Sequence, residues 1–195
     1  AAYTRAELAA LGEVLARHPH IVIGSDEIYE HIWWGPEPFC SFATACPQLF
    51  DRTVTINGVS KSHAMTGWRI GYCGGPAPLV RAMATLQGQS TSGPSSISQQ
   101  AAVAALTGDA ACVAEMNAAY RRRHDLLVAG LDALPGVSCR PGWGTFYAFA
   151  NVEDAMRRHG FMDDVGFADW LLDSVGLATV PGSGFGAPGH LRLSF

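Results

Sequence analysis

A lysine at the end of a short strand is the feature that most restricts how this chain can fold. Thr53 to Ile56 is a β-branched segment typical of a strand, and the Asn57-Gly58 pair after it breaks the strand into a loop. Lys61 follows in that loop among small and hydroxyl-bearing residues. Because lysine is costly to bury, its side chain either reaches solvent or has a chemical role, such as forming a Schiff base.

A second apolar segment ends on polar residues in the same way. Ile21 to Ser25 has the composition of a buried strand, and it is followed by Asp26 and then by Tyr29. Ligands of open α/β sheets bind at the carboxyl ends of the strands, so Asp26, Tyr29 and Lys61 are predicted to share one crevice. Taken alone, Asp26 is more often a helix N-cap, and that alternative stays open.

Helical patterns alternate with these strands, which predicts an α/β chain. The first helix has a capping box of Thr4 and Glu7, and its inward stripe is predicted from three leucines, namely Leu8, Leu11 and Leu15. The proline-rich segment 31–50 is predicted to have little regular structure. Further helices are predicted over 78–86, 97–106, 109–134 and 165–175, and further strands over 68–73, 137–139, 145–149 and 191–195.

Composition and charge exclude several classes of protein. The chain is 48% hydrophobic and 15% charged, and its net charge is -4, which disfavours a nucleic-acid partner. The only basic run, Arg121 to Arg123, falls within a helical pattern and is predicted to be a solvated face. No apolar run has the length of a membrane span, and the first residues lack the features of a signal peptide, so a cytoplasmic location is expected.

The cysteines and histidines do not form the pattern of a metal site. The five cysteines are odd in number and show no C-x-x-C spacing, so reduced thiols are expected and neither a disulfide framework nor a zinc site is predicted. The histidines are scattered, and no third ligand stands at a useful distance from the closest pair, His18 and His20. No metal is therefore expected.

Three ordered groups of residues resemble a known family. They are SDEIYEH at 25–31, SK at 60–61 with AMTGWRIGY at 64–72, and VPGSGFG at 180–186 with HLRLS at 190–194. Together they resemble the pyridoxal-phosphate-dependent aminotransferases of fold type I, class I and II, and among these most of all the bacterial aspartate aminotransferases. Three motifs in the same order are more specific than any one of them.

The resemblance implies a fold and a division into domains. It covers essentially all 195 residues, which would correspond to the C-terminal half of a family member. Residues 1–120 would form part of the large domain, a mostly parallel sheet with helices on both faces, and residues 121–195 a truncated small α+β domain. Members of the family are homodimers, so a homodimer is expected.

The resemblance also assigns roles around the cofactor, pyridoxal 5'-phosphate. Lys61 would be the catalytic residue, binding the cofactor aldehyde as a Schiff base and moving the substrate proton. Asp26 would pair with the pyridine nitrogen, and Tyr29 would donate a hydrogen bond to the phenolic oxygen.

Three further residues would bind charged groups. Arg69 would hold the cofactor phosphate and Arg192 the substrate carboxylate, both tasks that suit a guanidinium. Ser60 is included in the cofactor-binding set, although Gly58 stands where several relatives have a phosphate-binding serine. From spacing alone, Arg69 is a surface cation and Arg192 an outward-facing strand residue.

The activity implied is transamination between an amino acid, aspartate or glutamate or an aromatic one, and a 2-oxo acid. Two alternatives stay open. The first is another enzyme of the same fold type, a decarboxylase or carbon-sulfur lyase. The second is a non-catalytic protein, either a ligand-sensing domain or an inactive remnant.

Overall fold

The structure is a computed structural model that describes residues 3–195. The chain divides into two compact units, of which the first ends at Asn117 and the second comprises Ala118–Phe195. The division falls within the longest helix, α6 (Ala111–Asp132). The boundary expected from the sequence, between residues 120 and 121, also lies in this helix, and the identity of the two domains stays a prediction.

The first unit contains a three-stranded sheet of order β1-β2-β3. Strands β1 (Ile23–Asp26) and β2 (Thr53–Asn57) are parallel, whereas β3 (Tyr72–Gly74) runs antiparallel to β2. The first two strands confirm the predicted ones with small shifts in their bounds. The third begins four residues later than predicted, because the 3-10 turn Thr66–Trp68 takes up the start of that segment.

Five helices accompany this sheet. The predicted capping box is confirmed, because the Thr4 hydroxyl accepts from the Glu7 amide and the Thr4 amide donates to the Glu7 carboxylate. Segment 31–50 is more regular than predicted, since it contains α2 and the start of a 3-10 helix over Pro47–Arg52. The helices are α1 (Arg5–Ala16), α2 (Phe42–Ala45), α3 (Val59–Ser62), α4 (Ala77–Ser90) and α5 (Ser96–Thr107).

Helix α1 packs through a glycine and through two of the three leucines predicted to face inward, Leu8 and Leu15. Leu8 is buried, but Leu11 is 46% exposed, so its assignment to the core was wrong. A Cβ at Gly12 would lie 2.3 Å from the Cys46 sulfur, so the α1 backbone approaches the residue that ends α2 closely. Leu8 and Gly12 are one helical turn apart and form the contact face, which turns Leu11 outward.

The apolar interior of the first unit consists of two clusters. The first lies between α1, α2 and the sheet, and its buried members are Leu8, Ile23, Cys40, Phe42, Cys46 and Leu49. The second lies beneath α3 and α5, and its buried members are Val59, Ile70 and Ala102. No residue of α4 is buried within the described part of the chain, and Leu86 on that helix is 73% exposed.

The second unit is built on a four-stranded antiparallel sheet of order β4-β5-β7-β6. Helix α8 starts at an Asp163 cap, whose carboxylate accepts from the Gly166 amide, and it ends at Gly176 in the left-handed conformation. The elements after α6 are β4 (Ser138–Cys139), β5 (Tyr147–Asn151), α7 (Glu153–Arg158), α8 (Asp164–Val175), β6 (Val180–Pro181) and β7 (His190–Ser194).

Strand alternation separates the two faces of this sheet. Leu191 is buried in one continuous core beneath α6, α7 and α8, whereas Arg192 lies on the opposite face, as alternation predicted. Trp170 on α8 is 37% exposed. Helix α7, strand β6 and the 3-10 turn Gly182–Phe185 lack a sequence signal strong enough to predict them.

Three further observations bear on the composition-based expectations. The five cysteines are free thiols. Among residues 3–195, no helix combines the length and the apolar character needed to cross a membrane. The same residues contain no cluster of histidine, cysteine, aspartate and glutamate side chains suited to a metal ion.

Candidate active site

The carboxyl ends of the two parallel strands carry the residues singled out in the sequence. Asp26 is the last residue of β1 and is paired in register with Ile56, near the end of β2. Lys61 lies in α3, which begins two residues after β2 ends, and its side chain is half-buried. Since parallel strands end at the same edge of a sheet, Asp26 and Lys61 follow neighbouring strand ends.

Asp26 and Tyr29 line the same small cavity at the end of β1. Its volume is about 40 Å³, and Ser25, Glu30 and Phe42 contribute to its wall. The Asp26 carboxylate is exposed and accepts a hydrogen bond from the Ile28 amide at 3.2 Å. Of the three residues predicted to share one crevice, Asp26 and Tyr29 line this cavity and Lys61 does not.

A buried carboxylate beside Asp26 organises this region. Glu27 is 7% exposed, and its Oε1 accepts from the Ser25 hydroxyl at 2.9 Å, the Ser41 hydroxyl at 2.9 Å and the Phe42 amide at 3.0 Å. Three donors on one oxygen compensate for burial of the charge. Sequence reasoning missed this role, because Ser41 and Phe42 are 14 and 15 residues away and no periodicity connects them to Glu27.

The backbone around Lys61 adopts uncommon conformations. Ala64 and Arg69 have left-handed φ values of 53° and 51°. Such conformations cost about 1 kcal/mol or more for residues with a Cβ, and they concentrate at functional sites. A Cβ at Gly58 would lie 3.1 Å from the Ile70 carbonyl oxygen and 3.3 Å from the Gly71 Cα, so a serine at this position would be crowded.

Three further polar residues lie on α3 and around the start of β3, namely Ser60, Arg69 and Tyr72. Arg69 is exposed, and its Nη1 donates to the Thr66 carbonyl at 2.8 Å. Ser60 lies half-buried on α3, one residue before Lys61. Burial raises the pKa of the Tyr72 phenol above its ordinary value, and the Glu30 carboxylate adds to the shift, so this hydroxyl stays protonated at neutral pH.

Arg192 lies in the second unit, between two strands. Its register partners are Phe149 on β5 and Val180 on β6. The guanidinium carbon is 4.5 Å from the ring centre of Tyr147 and 4.8 Å from that of Phe185. These distances correspond to cation–π contact with both rings. Arg192 therefore faces an aromatic environment on the side of the sheet away from the core.

Comparison with known proteins identifies the family. The profile of the family described as aminotransferase class I and II matches residues 1–195, which is the whole chain. The chain belongs to the class I and II aminotransferases. Enzymes of this family depend on pyridoxal phosphate, and the resemblance predicted from the three motifs is confirmed.

Individual aminotransferases match over the full chain. An aspartate/prephenate aminotransferase of Nitrosomonas europaea is 47% identical over 99% of this chain, and an aspartate aminotransferase of Bacillus subtilis 46% identical over 99%. The crystal structure of the Rhizobium meliloti aspartate aminotransferase superposes with a TM-score of 0.93 at 45% identity over 100% of the chain.

These matches also show how much of an aminotransferase is present. The chain covers 50% of the Nitrosomonas protein, 49% of the Bacillus protein and 50% of the Rhizobium structure. The chain therefore spans about half the length of the relatives it matches. The α/β fold predicted from the sequence agrees with the large domain of fold type I.

Proposed function

We propose that the whole protein is a pyridoxal-phosphate-dependent aminotransferase that transfers an amino group between an amino acid and a 2-oxo acid. One observation carries the proposal: Lys61, the only lysine among the 195 residues, follows the strand adjacent to the one that ends in Asp26. The names of two relatives support aspartate as a substrate, and the name of a third supports an aromatic amino acid. Glutamate is a further candidate.

The residues at this edge of the sheet fit the cofactor in their chemistry. The cofactor has an aldehyde, a basic ring nitrogen, a phenolic oxygen and a phosphate. Lys61 provides an amine, Asp26 an exposed carboxylate, Tyr29 a phenol and Arg69 a fork of donors. Ser60 adds a hydroxyl next to the lysine. The left-handed conformation of Arg69 gives its side chain a direction that a helical or extended residue would not have.

Each side chain has a defined task in this proposal. When bound, the cofactor supplies an electron sink that stabilises the negative charge left on the substrate α-carbon. Lys61 would hold the cofactor through its aldehyde carbon, and its amine, once set free by the substrate amine, would carry the proton from the substrate α-carbon to the cofactor carbon that receives the amino group. Asp26 keeps the ring nitrogen protonated through charge pairing.

The other tasks concern binding and orientation. Tyr29 donates its hydroxyl to the phenolic oxygen, while Arg69 and Ser60 bind the phosphate. Arg192 binds the substrate carboxylate, for which a guanidinium offers two parallel hydrogen bonds.

We place the two units within the family fold in the following way. Residues 1–120 form part of the large domain and residues 121–195 part of the small C-terminal domain, so that the chain represents the C-terminal half. The protein acts as a homodimer in the cytoplasm. Support for the placement of the two units comes from the order of the motifs and from the half-length coverage of the relatives.

The test is covalent capture of the cofactor on the full-length protein. Pyridoxal phosphate is added, the imine is reduced with borohydride, and tryptic peptides are mapped by mass spectrometry. Because Lys61 is the only lysine between Arg52 and Arg69, a label on it blocks cleavage there and yields one peptide covering residues 53–69. The Lys61→Arg variant is the control and is expected to lack the labelled peptide.

The outcome decides the assignment of the central residue. A labelled 53–69 peptide together with amino-group transfer to a 2-oxo acid supports the proposal. Stoichiometric labelling of a lysine elsewhere in the full-length protein, with peptide 53–69 unmodified, refutes the role of Lys61. A label on Lys61 combined with carbon dioxide or sulfide release, in place of amino transfer, would identify a decarboxylase or lyase instead.

A further inference from the structure

Arg192 is a cation without a counter-charge in the described part of the chain. None of the ion pairs among residues 3–195 involves it, and its Nε is buried without a hydrogen-bond partner. A buried polar group left without a partner costs about 1–3 kcal/mol. The two ring contacts compensate part of this cost through cation–π attraction.

The two rings belong to different structural elements. Tyr147 lies on β5, whose register with β7 pairs Phe149 with Arg192, so Tyr147 is placed by the strand ladder. Phe185 ends the 3-10 turn Gly182–Phe185, which connects β6 to β7. Its ring also contacts Phe149 edge-on, with a centroid distance of 6.1 Å. The guanidinium is therefore contacted by rings that two different elements of the second unit carry.

The turn that carries Phe185 is anchored by a buried carboxylate. Asp164 is 2% exposed, and its Oδ2 accepts a hydrogen bond from the Ser183 amide at 2.7 Å. The turn is also tightly packed, because a Cβ at Gly182 would lie 2.4 Å from the Ala187 carbonyl oxygen. Asp164 thus fixes the backbone two residues before Phe185.

We propose that Tyr147 and Phe185 are positioning residues that hold the guanidinium plane of Arg192 for a substrate carboxylate, and that Asp164 sets the position of Phe185. The proposal rests on the proposed function in one respect, namely that Arg192 binds the substrate carboxylate. A guanidinium donates its hydrogen bonds in its own plane; here the two rings contact its central carbon, and its Nε is buried. The terminal nitrogens are left for a planar, bidentate acceptor such as a carboxylate.

The test is binding of succinate to the full-length protein loaded with cofactor, measured by calorimetry. Succinate has carboxylates but neither an amino nor an oxo group, so binding does not depend on turnover. Each ring-removing variant, Phe185→Leu and Tyr147→Leu, is expected to weaken binding about 3- to 30-fold, the range of a partly desolvated cation–π contact. The ring-keeping variants Phe185→Tyr and Tyr147→Phe are expected to bind within about twofold of the wild type.

The same variants separate positioning from a merely structural role. In the ring-removing variants KM for the amino acid rises by the same factor as the succinate dissociation constant, while kcat stays within about twofold. Asp164→Leu behaves like Phe185→Leu, and Asp164→Asn, which keeps an acceptor oxygen for the Ser183 amide, behaves like the wild type. Phe50→Leu, which removes an exposed ring in the first unit, is the control and leaves both constants unchanged.

A spectroscopic signature provides a second readout. The Nε–H proton of Arg192, assigned with the Arg192→Lys variant, is expected to resonate upfield because it lies near two ring faces. Phe185→Leu moves this resonance downfield, and Phe185→Tyr does not. Equal resonances in the Leu and Tyr variants would contradict the proposal.

Failure of this inference is distinguishable from failure of the proposed function. Succinate binding that depends on Arg192 and on the rings, in a protein without transaminase activity, refutes the function and supports the positioning role. The positioning role is overturned if the protein transaminates but does not bind succinate, or binds it equally well after Arg192→Gln. It is also overturned if Phe185→Leu and Phe185→Tyr weaken succinate binding equally.

Discussion

The two units hold their candidate functional groups in different ways. In the first unit, Asp26 ends a strand and Lys61 follows one, and the loop after Lys61 contains backbone conformations that cost energy. In the second unit, Arg192 lies within β7, which is paired with a strand on each side. Loops and side-chain hydrogen bonds therefore position the candidate groups of the first unit. In the second unit the strand ladder and the aromatic rings position Arg192.

This difference has a physical consequence for how each unit responds to substitution. A strand paired on both sides keeps its backbone when one side chain changes, so in the second unit a substitution alters mainly the contact that is removed. A loop depends on a few hydrogen bonds, such as those to Glu27, and the loss of one displaces the groups next to it. The first unit also has smaller apolar clusters than the second.

The largest effect is expected from removing the amine in the first unit. Lys61→Ala in the full-length protein should lower the rate of amino transfer by about 10⁴-fold or more, because bonding to the cofactor and proton transfer are both lost. Lys61→Arg retains a positive charge and should be as inactive, since a guanidinium does not provide the free amine. Steady-state kinetics with an amino acid and a 2-oxo acid measures this, and activity within tenfold of the wild type in either variant would contradict the role.

The next effect concerns the cation in the second unit. Arg192→Gln should lower kcat/KM by about 10²-fold or more, because a charged hydrogen-bonded pair with the carboxylate is lost. The melting temperature should change little, since β7 keeps its backbone pairing on both sides. Arg158→Gln, at an exposed position on α7, is the matched control. A large loss of stability in Arg192→Gln would show that the strand ladder alone does not hold this position.

A stability effect is expected at the buried carboxylate of the first unit. Glu27→Ala leaves the Ser25 and Ser41 hydroxyls and the Phe42 amide without their acceptor, which should lower the free energy of unfolding by about 2–3 kcal/mol. Hydrogen exchange should increase in residues 25–42 and stay unchanged in residues 147–194. Glu13→Ala, at an exposed position, is the control. Equal hydrogen exchange of residues 25–42 in the two variants would argue against a stabilising role of the hydrogen bonds to Glu27.

Thiol reactivity offers a smaller, chemical comparison of the two interiors. Burial raises the pKa of the Cys46 thiol in the first unit and of the Cys139 thiol in the second, so both are protonated and shielded at pH 8. Exposed Cys112 should react first with iodoacetamide, as followed by mass spectrometry. Faster labelling of Cys46 than of Cys139 would indicate that the first interior opens more readily, and labelling of both before Cys112 would contradict their burial.

The smallest effect is expected at the start of α1. Hydrogen bonds from the Thr4 amide and hydroxyl lower the pKa of the exposed Glu7 carboxyl. A lowered pKa in the folded state means that this stabilisation is present above the ordinary glutamate pKa of about 4.3 and is lost as the pH falls through the folded-state value. A ¹³C titration should show a midpoint below the ordinary range, and Thr4→Ala should raise it only in part, because the amide contribution remains.

Local signals in the sequence determined much of the fold and the identity of the candidate groups. The β-branched segment before Asn57 predicts β2, and the Thr4 and Glu7 pair predicts the start of α1, because propensity and capping act over a few residues. The three motifs indicate the family, which the comparisons confirm. Residues such as Lys61 stand out because their chemistry is unusual at the end of a strand.

Only the tertiary structure decided which side chains surround those groups. Three features involve residues that are distant in sequence or belong to separate elements: the Ser41 and Phe42 donors to Glu27, the Gly12–Cys46 contact beside which Leu11 points outward, and the two rings beside Arg192. Sequence periodicity reports which face of an element is apolar. It does not report which distant residue packs against that face, because this depends on the register and close packing of whole elements.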